Sequence, residues 1–397
     1  MIRKWDLYYS EESCKIMVDN LGLSAGFQSN IVPAIYKTRE RRYIMSLEWH
    51  KQLREAIETT EQLETYIDLS ALEKQEIEHT MGENAFRITP YYASLMDRED
   101  RQCPIRMQAV PSIKETIASY GDADPLMEID ESPVPLVIHV YPDRVAFLIS
   151  NQCAMYCRHC LRKHTVKKHS KCYSDDEILT AIDYIRRTDR IRDVLLTGGD
   201  PLMLSDDRLE WIISQLRAID HVEIIRIGTR MICTLPQRIT SELCAMLKKY
   251  HPIWINTQFN HPKELTKEAA EAADMLLSAG IPLGNQSVLL KGINDSVPVM
   301  KKLVQGLVKM RIRPYYLYQA QALAGTEHFI TTIESGLDII QGLRGYTSGI
   351  CIPTFVLDTP YGKVPINPTY SVGRDGEDYI LRTYNNILWK EHNPVQL

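Results

Sequence analysis

The chain has 397 residues, which suits two or three structural units or one barrel with extensions. Its composition is that of an ordinary globular protein, and no run is long and apolar enough to span a membrane. A net charge of −5 without any long basic tract argues against nucleic acid as a partner. Residues 1–125 read as a mainly helical N-terminal region, with helical periodicity and dense charge over Leu47–Thr65. Ser132-Pro133-Val134-Pro135 reads as an extended linker into a core that runs to about residue 350. Within that core a strand-then-helix unit repeats. Arg144–Ser150 is the first strand, followed by a helix from Ser174 to Thr188 that Ser174 caps and Glu177 closes as a capping box. Asp193–Thr197 and His221–Gly228 are the next strands, with helices over Asp206–Ala218 and Ile239–Tyr250. Pro252–Gln258 follows, then a helix over Leu265–Ala279 that stops at Gly280. Ile281–Leu290 with Val297–Met310, and Arg313–Gln319 with Ile333–Arg344, complete six units. Ile352–Asp358 is a further strand. The rest of the C-terminal segment, 351–397, is rich in Pro, Gly and Tyr and has little helical pattern. Alternation of this kind predicts an α/β fold with a parallel sheet, and six units predict a partial (βα)6 TIM-like barrel. In barrels the chemistry sits on the loops after the strands, so motifs after the first and second strands should be neighbours.

The first strand leads into Cys153-Ala154-Met155-Tyr156-Cys157-Arg158-His159-Cys160, a C-x3-C-x2-C run. Three thiolates on one short loop can hold three irons of a [4Fe–4S] cube. The fourth iron then stays open to a small molecule. The motif resembles that of radical S-adenosylmethionine (SAM) enzymes, in which SAM chelates that iron and an electron from the cluster cleaves it to a 5′-deoxyadenosyl radical. A zinc site would more often show paired C-x2-C groups and a fourth ligand, for which His159, His164, His169 and Cys172 are the nearest candidates. Nine cysteines, an odd number, with no signal peptide apparent, argue for a reducing, cytoplasmic setting rather than disulfides. Cys14, Cys103, Cys172, Cys233, Cys244 and Cys351 are scattered and read mostly as small buried hydrophobes. The basic stretch Arg158–Lys171 reads either as a solvated loop or as an anion site suited to an amino-acid carboxylate.

Asp358-Thr359-Pro360-Tyr361-Gly362-Lys363 places a lysine on a turn-rich loop after a buried-looking strand. Most lysines are surface charges, but a lysine amine can also hold pyridoxal phosphate (PLP) covalently. The segments ITPYYASLMD (Ile88–Asp97), YPDRV (Tyr141–Val145), RDVLLTGGD (Arg192–Asp200), VEIIRIG (Val222–Gly228), LPQRIT (Leu235–Thr240) and FNHP (Phe259–Pro262) resemble lysine 2,3-aminomutase. So do PLGNQSVLL (Pro282–Leu290), RPYYLYQ (Arg313–Gln319), LRGYTSG (Leu343–Gly349) and PTFVLD (Pro353–Asp358). The resemblance covers roughly residues 45–370 and implies a radical SAM enzyme that also uses PLP. It implies that Cys153, Cys157 and Cys160 ligate the cluster and that Gly198, Gly199, Asp200 and Gln286 meet SAM. It implies further that Lys363 holds PLP with Tyr141 and Arg144 beside it, and that Arg162 grips the substrate carboxylate. Asp358 corresponds to one of two acidic residues that recognise the side-chain ammonium of lysine.

The second acidic position falls at Gln321, so one negative charge is missing from the distal end of the pocket. An amide suits a buried ammonium less well than a carboxylate but can accept from a guanidinium. A distal carboxylate such as that of glutamate would be repelled by Asp358. The expected substrate is therefore a basic L-amino acid, lysine or arginine, whose amino group moves from C2 to C3. An external one-electron reductant would serve as partner. Val140 and Gln258 replace an arginine near the PLP phosphate and a histidine near SAM. Ser296 stands where the family's zinc site has a cysteine, and no C-x-C-x2-C tail is present, so zinc is not expected. Whether the family's oligomeric contacts form a homo-oligomer here stays open. The alternatives are a radical SAM and PLP enzyme acting on another amino acid or by another radical reaction, and a non-catalytic iron–sulfur redox protein that would bind no SAM.

Overall fold

The computed structural model describes residues 48–83, 86–117, 119–166 and 172–393. Cys14, His169 and residues 1–47 of the N-terminal region expected to be helical lie outside them. The chain forms two units, residues 1–54 and 55–397, and the sheet and its cavity belong to the second.

Nine strands form one sheet in sequence order. They are β1 Val137–Tyr141, β2 Arg144–Ser150, β3 Asp193–Gly198, β4 Ile224–Gly228, β5 Ile253–Thr257, β6 Leu283–Leu289, β7 Arg313–Gln319, β8 Thr354–Thr359 and β9 Gly362–Pro365. Strands β2 to β8 run parallel, and β1 and β9 join the two edges antiparallel. Each parallel step is a right-sized crossover through one helix: α1 Asp175–Arg187, α2 Asp206–Arg217, α3 Ser241–Lys248, α4 Lys267–Ser278, α5 Val297–Lys309 and α6 Ile333–Leu343. Ser174, Ser205, Thr240, Thr266 and Thr332 cap all but α5 by accepting a backbone N–H in the first turn. The expected stop of α4 at Gly280 is present, with the glycine at φ +83°.

The sheet curls into an open barrel. Burial alternates along the strands: in β6, Leu283, Asn285, Ser287 and Leu289 are buried, while Gly284, Gln286 and Val288 are half-buried and line an internal cavity, with Leu283 at its border. In β7, Leu317 is buried, and Tyr316, Tyr318 and the buried Gln319 line the same cavity.

Three expectations change. The single helix over Leu47–Thr65 is broken. A helix ends at Arg54, Ile57 pairs with Ile88 through two backbone hydrogen bonds of 2.8 and 3.1 Å, and a short helix Thr60–Leu63 follows. Burial of Ile57 and Ile88 outweighs the local periodicity. The rest of the described N-terminal region has one long helix, Ala71–Glu83, with single turns at Pro90–Ala93 and Pro104–Ala109 and a 3-10 turn at Ile113–Thr116. Lys363 is in strand β9 rather than on a loop, and the tail beyond it forms a separate antiparallel sheet of β10 Ser371–Asp375, β11 Asp378–Arg382 and β12 Leu388–His392.

Candidate active site

The cysteine loop leaves β2 and is fixed from both sides. On one side, the end of β3 clips onto it: Gly199 N–H donates to Ser150 O at 2.6 Å and Asp200 N–H to Gln152 O at 2.7 Å. Gly198 has φ +117°, and a Cβ on Gly199 would stand 2.4 Å from Gln152 O, so only glycines permit this approach. Asp200 then ties β3 to the next rim. Its buried carboxylate accepts from Leu202 N–H, Thr229 Oγ1 and Arg230 N–H at 2.8–3.0 Å. Burial pushes its pKa up against those bonds. On the other side, Tyr156 N–H donates to Arg87 O and Arg158 N–H to Gln108 O. Glu115, fully buried, accepts from Arg158 at 2.8 and 2.5 Å and from Lys163 at 2.9 Å, and Lys163 also donates to Gly325 O. Burial opposes the Glu115 carboxylate, yet the two cations hold it below the usual range.

Cys153, Cys157 and Cys160 form no disulfide and line the internal cavity, whose volume is about 1170 Å³. Among the described residues no three His, Cys, Asp or Glu side chains converge on a single-ion site. Ligands of a cube each hold a separate iron, so the donor set fits a [4Fe–4S] cluster without such convergence. Between the cysteines, His159 is half-buried, and desolvation, then the nearby Arg230 cation, pushes its pKa down. Its Nε2 meets the side-chain amide of Gln258 at 3.0 Å. Of the other cysteines, Cys103, Cys233, Cys244 and Cys351 are buried as expected, while Cys172 is exposed.

The opposite wall belongs to the β8–β9 hairpin. Asp358 and Lys363 are paired across it, which puts both side chains on one face. Lys363 Nζ reaches the Asp358 carboxylate at 3.2 and 3.4 Å. The edges of the open barrel meet here: Lys363 N–H donates to Tyr141 Oη of β1 at 2.7 Å. Gly362, at φ +112°, packs its backbone on the Tyr141 ring. The Arg144 guanidinium stacks 3.7 Å above that ring, and Lys363 Nζ lies 5.7 Å from both the Tyr141 and Tyr318 rings. A lysine amine flanked by aromatic faces inside a large cavity fits a planar aromatic cofactor attached to it.

Gln321 Nε2 donates to the Asp358 backbone carbonyl at 2.8 Å. Its Oε1 has no hydrogen bond among the described residues, so the amide presents an acceptor. Arg162 is held by Glu128 in a two-pronged pair at 2.9 and 2.5 Å. Burial works against the Arg162 charge, but Glu128 raises its pKa overall. Gln286, Gly198, Gly199 and Asp200 line the cavity together with Tyr141, Arg144, Arg162, Gln321, Asp358 and Lys363, so the residues that the resemblance assigns to cluster, SAM, PLP and substrate border one space. Sequence reasoning missed Glu128, Glu115 and Arg230. Arg230 follows directly on a core strand, where barrels carry their chemistry, and that position was its one available signal. Glu128 lies in a charged stretch without pattern and had none.

A parallel barrel that delivers a C-x3-C-x2-C loop from its first parallel strand defines the class, and the radical SAM superfamily model matches residues 147–303. This is a radical SAM protein, with the [4Fe–4S] cluster and SAM that the superfamily entails. The lysine-2,3-aminomutase model matches residues 340–396. L-lysine 2,3-aminomutase of Fusobacterium nucleatum is 52% identical over 344 residues, covering 86% of this chain and 81% of that protein. The Clostridium subterminale enzyme of the same name is 50% identical over 351 residues, 88% and 84% of the two chains. Glutamate 2,3-aminomutase of Clostridioides difficile is 47% identical over 348 residues, 87% and 82%. The chain belongs to the lysine 2,3-aminomutase family and is a radical SAM isomerase.

Proposed function

We propose that this enzyme is a PLP-dependent 2,3-aminomutase of a basic L-amino acid, lysine or arginine, and converts it to the β-amino acid. Relatives named for lysine and for glutamate match with similar identity, so likeness leaves the substrate open. The observation that carries the reading is the pair of acceptors at the distal end, the Asp358 carboxylate and the Gln321 Oε1. A cationic side chain satisfies both, whereas a carboxylate would meet like charge. A guanidinium, with five N–H donors in a planar fork, can engage both at once.

SAM held at the cluster would supply a hydrogen-abstracting radical, and PLP held on Lys363 would supply a π system through which the amino group can shift. The chain's own residues do the rest. Lys363 offers the amine that would hold the cofactor, and Asp358, its neighbour across the hairpin, offers a carboxylate to the substrate cation. Arg162 offers two parallel N–H groups to the substrate carboxylate once Glu128 yields them. Tyr141 pins the backbone of Lys363, which fixes the reacting position against the barrel wall.

The test is Lys363→Ala. After anaerobic reconstitution with iron, sulfide and PLP, borohydride should fix a pyridoxyl group on Lys363 of the wild type and none at this site in the variant. The variant should form no β-amino acid while SAM is still cleaved to 5′-deoxyadenosine. Wild-type rates of β-isomer formation in the variant would contradict the assignment.

A further inference from the structure

Arg230, just beyond β4, points a guanidinium N–H at one cysteine: its Nη1 lies 2.8 Å from Cys157 Sγ. The side chain is only 8% exposed and is anchored on its other sides. Nε donates to Gln258 O at 3.2 Å, and Nη2 to Gln108 Oε1 at 2.6 Å, to Glu264 Oε1 at 2.8 Å and to Tyr92 Oη at 3.4 Å. Glu264 is itself fully buried and accepts from Tyr92 Oη, Gln108 Nε2 and the backbone N–H groups of Asn260 and His261. Turning Arg230 away from the sulfur would break several buried bonds and leave the Glu264 carboxylate unpaired. The cation is therefore preorganised toward Cys157.

We propose that Arg230 sets the reduction potential of the cluster through a charge-assisted hydrogen bond to the Cys157 thiolate. A reduced cluster carries one more negative charge than an oxidised one, and its sulfurs are the richer in electrons. A fixed donor on one of them favours the reduced form and raises the potential. The consequence is an easier loading of the electron from an external donor. The inference rests on Cys153, Cys157 and Cys160 holding the cluster.

The experiment compares wild type, Arg230→Lys and the double variant Arg230→Gln with Glu264→Gln, all reconstituted anaerobically with iron and sulfide. Iron and sulfide content is measured first, then the midpoint potential by a redox titration followed by electron paramagnetic resonance, without SAM. The double variant keeps the buried network neutral, and Arg230→Lys decides alone if the double variant does not fold. The expected order is wild type highest, Arg230→Lys lower and the double variant lowest, at equal iron content. Equal potentials with full clusters would overturn the proposal and leave Arg230 a brace. Equal potentials with weakened SAM binding would overturn it too and move its role to SAM. A wild-type chain that takes up no cluster would sink the reading of the three cysteines, and this inference with it.

Discussion

The Gly198-Gly199-Asp200 segment shows how single residues build this site. The resemblance assigns it to SAM, but its first physical task is to let β3 touch the cysteine loop. A methyl group at residue 199 would press on Gln152 O at 2.4 Å and Gln152 N at 2.7 Å, and backbone cannot yield as a flexible side chain can. Gly199→Ala is expected to destabilise the fold by about 2 kcal/mol or more and to lower the iron bound after reconstitution, read by thermal unfolding and iron assay. Unchanged stability with full iron content would show that the clip is dispensable. Some of this chemistry was legible in the sequence and some was not. The cysteines carry a spacing that a chain shows on its face, whereas the glycines and Lys363 stood out only through the family resemblance. Arg230, Glu264 and Gln108 did neither, because they lie far apart in sequence and acquire meaning only when the barrel brings them together.

Elements set the substrate end. The β8–β9 hairpin fixes Asp358 beside Lys363 by register, and the segment after β7 brings Gln321 against the Asp358 backbone. Gln321→Asp would restore two carboxylates around the distal charge. It is expected to raise the lysine-to-arginine ratio of kcat/KM by roughly tenfold, about the effect of one charge-assisted bond. A ratio that stays put would show that the residue at 321 does not read the side chain. The parallel strands were legible as short apolar runs and their helices by an apolar face recurring every three or four residues, and α1 even announces its start with Ser174 and Glu177. β9 was not, since its four residues follow a Pro360-Tyr361 turn and become a strand only by pairing with β8. β10 to β12 escaped for a related reason: their residues are mostly exposed and leave no buried face to pattern.

The barrel as a whole joins two half-sites. The cysteine loop and the β3 clip stand at the start of the parallel sheet, and the lysine hairpin stands at its far edge, where Tyr141 closes the seam. Seven parallel strands place both ends on one cavity of about 1170 Å³, large enough for a nucleoside, a planar cofactor and a small amino acid together. On the proposed reading, a radical formed at one wall would meet a substrate held at the other within this one cavity. The most direct check is product analysis. The enzyme, reconstituted anaerobically with iron, sulfide and PLP and supplied with SAM and a reductant, is offered each common L-amino acid. Mass-resolved chromatography should find a β-isomer from lysine or arginine and from no acidic amino acid. A β-isomer from glutamate, or cleaved SAM with no β-isomer from any amino acid, would contradict the account.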